Sequence, residues 1–452
     1  MVTAKKVSSA ASRGVAGGLC LASLFVLASC AEPAADNLLF VSFDTTRADR
    51  LSSYGYARTT SPAVDSLATR GARFTRAYSH VPSTMPAHGT MFTGLLPPEH
   101  GVRCNGKYRL SPARTTLAEI LAGKGFDTGA ILGAFPLDSR FGLDQGFATY
   151  DDDFASSAVT AKRRRGRMDD PGFWIGHDFV DFERGADEVT ERALAWLAAR
   201  PTRTKRWFLF VHYFDAHWPY EPPEAFATAH DSAYDAEIAH ADYELGRLLD
   251  RVDQMPGRTL VVFTADHGEG LGDHGEALHN RFLYDATLRV PLVMALDGAI
   301  SRGRVLDDPV GHVDLFPTLL ELLGLRASVD VTGRSLTPLL TGREHAPGAV
   351  YAETLIPSLE RPLGIEVRAR IEGRWKLIRT DTVGGETRME LYDLVADPHE
   401  TTDLSRAHPD VTRDLARRLD DDMQRLERAG PHPDPLAVDE GTELRLKSLG
   451  YL

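Results

Sequence analysis

Three apolar runs in this sequence each end in groups able to bind a cation or move a proton. Asn37 to Phe43 leads to Asp44, Trp207 to Tyr213 leads to Asp215, and Thr259 to Thr264 leads to Asp266 and His267. Asp and His side chains suit a divalent cation. The glycine-rich turn that follows carries Glu269, Asp273, His274, Glu276 and His279, which packing alone does not explain. Taken by itself, Asp266-His267 also fits a helix N-cap beside a surface histidine.

Such groups need elements that hold them together. An unbroken apolar run reads as a strand buried in a parallel sheet, and open α/β sheets place ligands at the C-terminal ends of their strands. Helical spacing predicts helices over Thr115 to Lys124, Ala186 to Ala199, Tyr234 to Val252 and Asp314 to Leu323. Strands alternating with helices argue for an α/β domain over 37–345. Beyond about residue 345 the pattern changes. Ala349 to Glu353, Glu366 to Ile371, Arg374 to Arg379 and Glu390 to Leu394 read as short strands, and Val411 to Glu427 as a charged helix. This predicts a small α+β subdomain over 346–452.

The chain has 452 residues, 43% of them hydrophobic, enough to bury a substantial core. A net charge of −13 argues against a nucleic-acid partner. The basic run Lys162-Arg163-Arg164-Arg165 is short and reads first as a solvated loop, with an anion contact as the alternative. At the N-terminus, Lys5, Lys6 and Arg13 precede a 14-residue apolar stretch, Val15 to Ala28. That is short for a membrane span and reads as a signal peptide over 1–29. Leu27-Ala28-Ser29-Cys30 resembles a bacterial lipobox, which implies lipidation at Cys30 and a tether over 30–36. The expectation is an exported lipoprotein, membrane-anchored on the periplasmic side or in the outer membrane. Of the cysteines only Cys104 would stay free after cleavage and lipidation, so no intrachain disulfide is expected.

A further stretch carries a family resemblance. Pro82-Ser83-Thr84-Met85-Pro86-Ala87-His88-Gly89-Thr90, with Asp44-Thr45-Thr46-Arg47 and Thr264-Ala265-Asp266-His267-Gly268, resembles the sulfatase family of the alkaline phosphatase superfamily. So do Asp215-Ala216-His217-Trp218-Pro219, Asp314-Leu315-Phe316-Pro317-Thr318, Leu391-Tyr392-Asp393-Leu394 and the tail Leu446 to Tyr451. The resemblance implies a large domain with a central mixed, mostly parallel sheet between helices, a small C-terminal domain, and a metal at the strand ends. It matches Asp44, Asp266 and His267 to metal ligands and Thr84 to the nucleophile, whose oxygen would also meet the metal. The carboxylate common at the position of Thr45 is missing.

Other positions depart from the family pattern. Sulfatases carry Cys or Ser where Thr84 stands, oxidised to formylglycine, with Pro two residues on and then Arg, here His88. The Cβ methyl of Thr84 blocks formation of an aldehyde, so no formylglycine is expected. A threonine sulfate would be a stable ester, whereas a threonine phosphate can be hydrolysed. The Gly-Lys-x-His element is replaced by Gly133-Ala134-Phe135-Pro136, and a downstream Lys by His279. The resulting expectation is hydrolysis of phosphate mono- or diesters through Thr84. Asn105 and His217 would stabilise the anion and His279 would assist the leaving group. The alternatives are a sulfuric ester hydrolase, a phosphoryl transferase and a non-catalytic binding lipoprotein. The cofactor would be one or two divalent ions, zinc or manganese by donor type and calcium by family habit, with a second ion on Asp215, His217 and His279. The substrate would be a small-molecule, glycan or lipid ester, and the membrane would be met through the N-terminal lipid.

Overall fold

The computed structural model describes residues 35–156, 183–200, 205–326, 329–355, 365–382 and 384–429. The leader, Cys30, the basic run at 162–165 and the tail motif at 446–451 lie outside them.

The large sheet contains β1 (Asn37–Phe43), β2 (Ala72–Tyr78), β3 (Asp127–Ile131), β4 (Thr149–Asp151), β5 (Trp207–Tyr213), β6 (Thr259–Ala265), β7 (Arg289–Ala295), β8 (Arg304–Leu306) and β9 (Val310–Gly311). Their order is β4-β3-β5-β1-β6-β7-β2-β8, with β9 also beside β2. β7 runs antiparallel to both neighbours, and the other pairs are parallel. β1 is central, and all seven of its residues are buried. Its side chains divide with period two. Leu38 and Phe40 face one apolar layer, and Leu39, Val41 and Phe43 face the other.

Helices cover both faces. α1 (Pro62–Arg70), α4 (Ala186–Ala198) and α5 (Ala233–Asp253) pack on the Leu39 side. α2 (Thr84–Thr93), α3 (Leu117–Gly123) and α6 (Leu315–Leu322) pack on the Leu38 side. α3 starts where its sequence says it must. Thr116 Oγ1 accepts the Glu119 N–H at 3.1 Å, and Glu119 Oε2 accepts the Thr116 N–H at 2.8 Å, a reciprocal cap.

A second sheet, β10 (Ala349–Thr354), β11 (Glu366–Glu372), β12 (Trp375–Asp381) and β13 (Thr387–Asp393), is antiparallel throughout. One face holds Leu377 and Leu391 against Leu415, Leu419 and Leu426 of α7 (Pro409–Ala429). The other buries Val367, Ala369 and Ile378 with Tyr78, Leu283 and Leu288 of the large domain. The chain is therefore an α/β domain with a mixed, mostly parallel sheet and a smaller antiparallel C-terminal subdomain, as expected.

Candidate metal centre and active site

The register of the central strands builds the site. Phe43 lies opposite both Tyr213 and Ala265. The next residue on β1, Asp44, and the next on β6, Asp266, therefore leave the sheet side by side. Ser42 lies opposite His212, which places an imidazole one step inside the same edge. α2 brings Thr84 to this edge at its first turn. Thr84 Oγ1 stands 3.4 Å from Asp44 Oδ2 and 3.4 Å from His267 Nε2.

Asp44, Asp266 and His267 converge, each with a donor atom within 4.8 Å of the others, and all three are buried. His267 Nε2 is 3.7 Å from Asp44 Oδ1 and 3.5 Å from Asp266 Oδ2. Asp44 Oδ1 and Asp266 Oδ2 have no hydrogen-bond partner among the described residues. Two buried carboxylate oxygens left in this way are costly unless a cation meets them. The set fits a divalent ion. The other oxygen of Asp266 is fixed: it accepts N–H bonds from His267 at 2.7 Å and Thr45 at 3.2 Å. Thr45 sends its own hydroxyl to Ala216 O at 2.8 Å and supplies no carboxylate. Gly268 is required by close approach, because a Cβ there would meet Ala286 O at 2.1 Å.

Burial pushes the Asp44 carboxyl up to about 7, against the pull of His267. Burial also raises Asp266, and the charge of Asp44 adds to it. Below neutrality a cation must therefore displace a proton. As pH falls, more of Asp44 is protonated and affinity drops. Zinc affinity is expected to weaken about tenfold per pH unit below about 7. Calorimetric titration of stripped protein across that range checks this, and a flat profile would contradict the role given to Asp44.

The remaining expected residues line the same region with distinct partners. Asn105 Oδ1 accepts the Met85 N–H of α2 at 2.8 Å, and its Nδ2 makes no hydrogen bond among the described residues. The His217 ring stacks on Phe214 with centroids 4.3 Å apart and lies 5.3 Å from the His279 ring. The expected second ligand set is not the one the geometry assembles. Asp215 Oδ1 pairs with His240 Nδ1 at 3.1 Å, and His279 Nδ1 pairs with Glu269 Oε1 at 3.0 Å. Among the described residues, the other group whose donors converge within 4.8 Å is His88, His212 and Asp266.

Two residues escaped a role in the sequence reading. Glu269 is buried, accepts from Tyr220 at 3.1 Å, and faces His279; burial raises it to about 7. Its place in the ionisable turn after His267 was the available signal. His212 sits buried inside an otherwise apolar strand, and neither of its ring nitrogens has a hydrogen-bond partner among the described residues, unusual for an interior position.

Elsewhere, a cleft of about 850 Å³ is lined by Arg47, Asp273, His274, Tyr284 and Glu390, with Glu400 at its wall. Among the described residues no helix is long and apolar enough to cross a membrane; the lipid anchor expected at Cys30 lies outside those residues.

Comparison with known proteins places this architecture. The family model described as Sulfatase matches residues 36–325. A model of the C-terminal part of N-sulphoglucosamine sulphohydrolase matches residues 272–429. The chain is 23% identical to an N-acetylglucosamine-6-O-sulfatase of Bacteroides thetaiotaomicron, over 84% of this chain and 85% of that protein. A structure solved with its substrate D-glucosamine-2-N,6-O-disulfate is 19% identical, covers 88% of this chain and 99% of its own, and has a TM-score of 0.70. Phosphonate monoester hydrolase of Agrobacterium radiobacter is 22% identical over 86% of this chain and 96% of its own, with a TM-score of 0.69. At these identities the structural likenesses carry the fold alone. The expected preference for phosphate esters is overturned. It rested on how an ester of one side chain, Thr84, would break down, whereas both family models, spanning both domains, are of sulfatases. With its metal-binding cluster and this fold, the chain is an ester-hydrolysing enzyme and belongs to the sulfatase family.

Proposed function

We propose that this enzyme hydrolyses a sulfate ester on a saccharide, with Thr84 unmodified. The observation that carries the reading is a Thr hydroxyl set 3.4 Å from Asp44 and from His267, inside a sulfatase-family domain. The saccharide follows from relatives, one an N-acetylglucosamine-6-O-sulfatase and one solved with a glucosamine disulfate.

A divalent ion on Asp44, Asp266 and His267 would supply positive charge to polarise the sulfate and to lower the pKa of an attacking hydroxyl group. The residues do the rest. If Thr84 itself attacked sulfur, the resulting ester would need a second attack at sulfur to break. A water attacking sulfur directly needs only one: the new S–O bond forms as the bond to the sugar oxygen breaks. In this reading Thr84 Oγ1 orients that water, and Asp44 Oδ2 accepts a proton through it. Asn105 Nδ2 donates to a sulfate oxygen.

Glu269 and His279 serve the leaving group. Burial holds His279 well below its ordinary value, so its ring is neutral. Burial lifts Glu269 to about 7, so near neutrality its proton can rest on the bond to His279 Nδ1. His279 Nε2 then carries the proton passed to the departing sugar oxygen, and Glu269 replaces it from behind. The basic and then apolar leader over 1–29 supports export.

The test is sulfate release from glucosamine 6-sulfate, N-sulfoglucosamine and an aryl sulfate by the zinc- or manganese-loaded protein. Release is expected from a sulfated saccharide, lost on chelation, and reduced at least about 100-fold by Thr84→Ala. Peptide mass spectrometry is expected to find Thr84 at its unmodified mass. No sulfate release by protein of verified metal content would overturn the reading.

A further inference from the structure

His88 lies on α2, His212 on β5 and Asp266 just past β6. Three separate elements thus deliver donors to one point, all within 4.8 Å of one another and all buried. Packing does not explain the arrangement. Neither ring nitrogen of His212 has a hydrogen-bond partner among the described residues, and neither does His88 Nε2 or Asp266 Oδ2. Each unsatisfied polar atom in an interior carries a desolvation penalty, so such atoms are rare unless something meets them. Three such side chains, each with a donor atom within 4.8 Å of the others, mark a place for a ligand rather than independent defects.

The local geometry gives the ligand's character. His88 Nδ1 is 2.7 Å from Thr84 O and 4.0 Å from Asp266 Oδ2; its N–H donates to the carbonyl, which leaves the lone pair on Nε2. A histidine that ligates through one nitrogen while donating the other to a carbonyl is the usual arrangement at metal sites. The His88 and His212 rings stand 5.1 Å apart at 82°, edge to face, so that the two rings do not block each other. Two main-chain N–H groups hold Asp266 Oδ1, which turns Oδ2 away from the backbone. Asp44 Oδ2, 3.4 Å from His212 Nε2, supplies further negative charge nearby.

We propose that His88, His212 and Asp266 form a second cation site, sharing Asp266 with the ion on Asp44 and His267. Two imidazole nitrogens and one carboxylate oxygen select a zinc-like ion over calcium or magnesium, which take oxygen donors. The shared carboxylate couples the two sites, and the second ion lies on the α2 side of the first. The site places positive charge beside the carbonyl of Thr84, where His88 stands in the position at which the family pattern has an arginine.

The test needs no substrate, so it stands apart from the sulfatase reading. Full-length protein is stripped with chelator, loaded with zinc, freed of unbound ion, and its zinc per chain measured by mass spectrometry. Two equivalents are expected for the unaltered protein. One equivalent is expected for His212→Gln and for His88→Gln, and one for His267→Gln, with folding checked by circular dichroism. Anomalous diffraction at the zinc edge is expected to give two peaks flanking Asp266. A single zinc in the unaltered protein overturns the proposal whatever the variants do. Two zinc ions retained by folded His212→Gln and His88→Gln overturn it as well.

Discussion

Asp266→Asn is expected to remove turnover and bound metal together while leaving the fold in place. The two oxygens of this side chain do different work. Oδ1 accepts N–H bonds from His267 at 2.7 Å and Thr45 at 3.2 Å. Oδ2 has no hydrogen-bond partner among the described residues and lies 3.5 Å from His267 Nε2 and 4.0 Å from His88 Nδ1. Asparagine is the same size, but its two ends are not equivalent. Its amide cannot sit where Oδ1 is, because it would point donors at two donors. The carbonyl must take that place, and the NH₂ then occupies the ligand position. A donor of electrons becomes a donor of protons at the point where a cation would sit. The expected loss is at least about 1,000-fold in kcat/KM, roughly 4 kcal/mol of transition-state stabilisation. Metal analysis of the purified variant and a saccharide-sulfate assay would check it. Near-normal turnover at normal metal content would remove Asp266 from the centre.

How far this site could be read from sequence depends on which physical signal each part leaves. Asp44 and Asp266 were legible because each follows an unbroken apolar run, and parallel strands in register must release their next residues together. α2 left no such signal. All ten of its residues are buried, so it lacks an amphipathic stripe, and Pro86 and Gly89 stand inside it. β2 and β7 were missed for related reasons: β2 is only partly buried along its length, and β7 contains Pro291. The Asp215, His217 and His279 set rested on the family resemblance. The fold turns Asp215 toward His240 on α5, a residue from an element whose face toward β5 cannot be read from β5 itself. Conversely, His88 and His212 are more than a hundred residues apart. Only the pairing of Ser42 with His212, and the seat of α2 over that edge, bring them together.

A buried charge on β12 helps tie the C-terminal subdomain to the large domain, and its removal is expected to be strongly destabilising. Lys376 lies on β12 with its side chain fully buried. Its Nζ is 2.9 Å from Asp285 Oδ1 and 2.8 Å from Glu400 Oε1. Glu400 Oε2 also accepts the Asp285 N–H at 2.6 Å, which closes the network. Lys376→Met keeps the length and apolar stem but leaves two carboxylates facing each other without a cation. The expected cost is about 3–5 kcal/mol, the range for breaking a buried pair by removing one partner. The triple change Lys376→Met, Asp285→Asn and Glu400→Gln is expected to recover most of it, because no unpaired charge remains. Urea unfolding of the two variants against the unaltered protein measures both numbers. Equal stability of Lys376→Met and the unaltered protein would show that the network does not hold the subdomains together. The effect should also reach the metal. Asp285 opens the short turn that contains Thr287, and Thr287 O accepts the Gly268 N–H at 2.8 Å, next to His267. A chain loosened at Lys376 thus loses a support of the metal-binding turn. Zinc affinity is expected to fall in Lys376→Met under conditions where the protein is still folded, although Lys376 is no ligand.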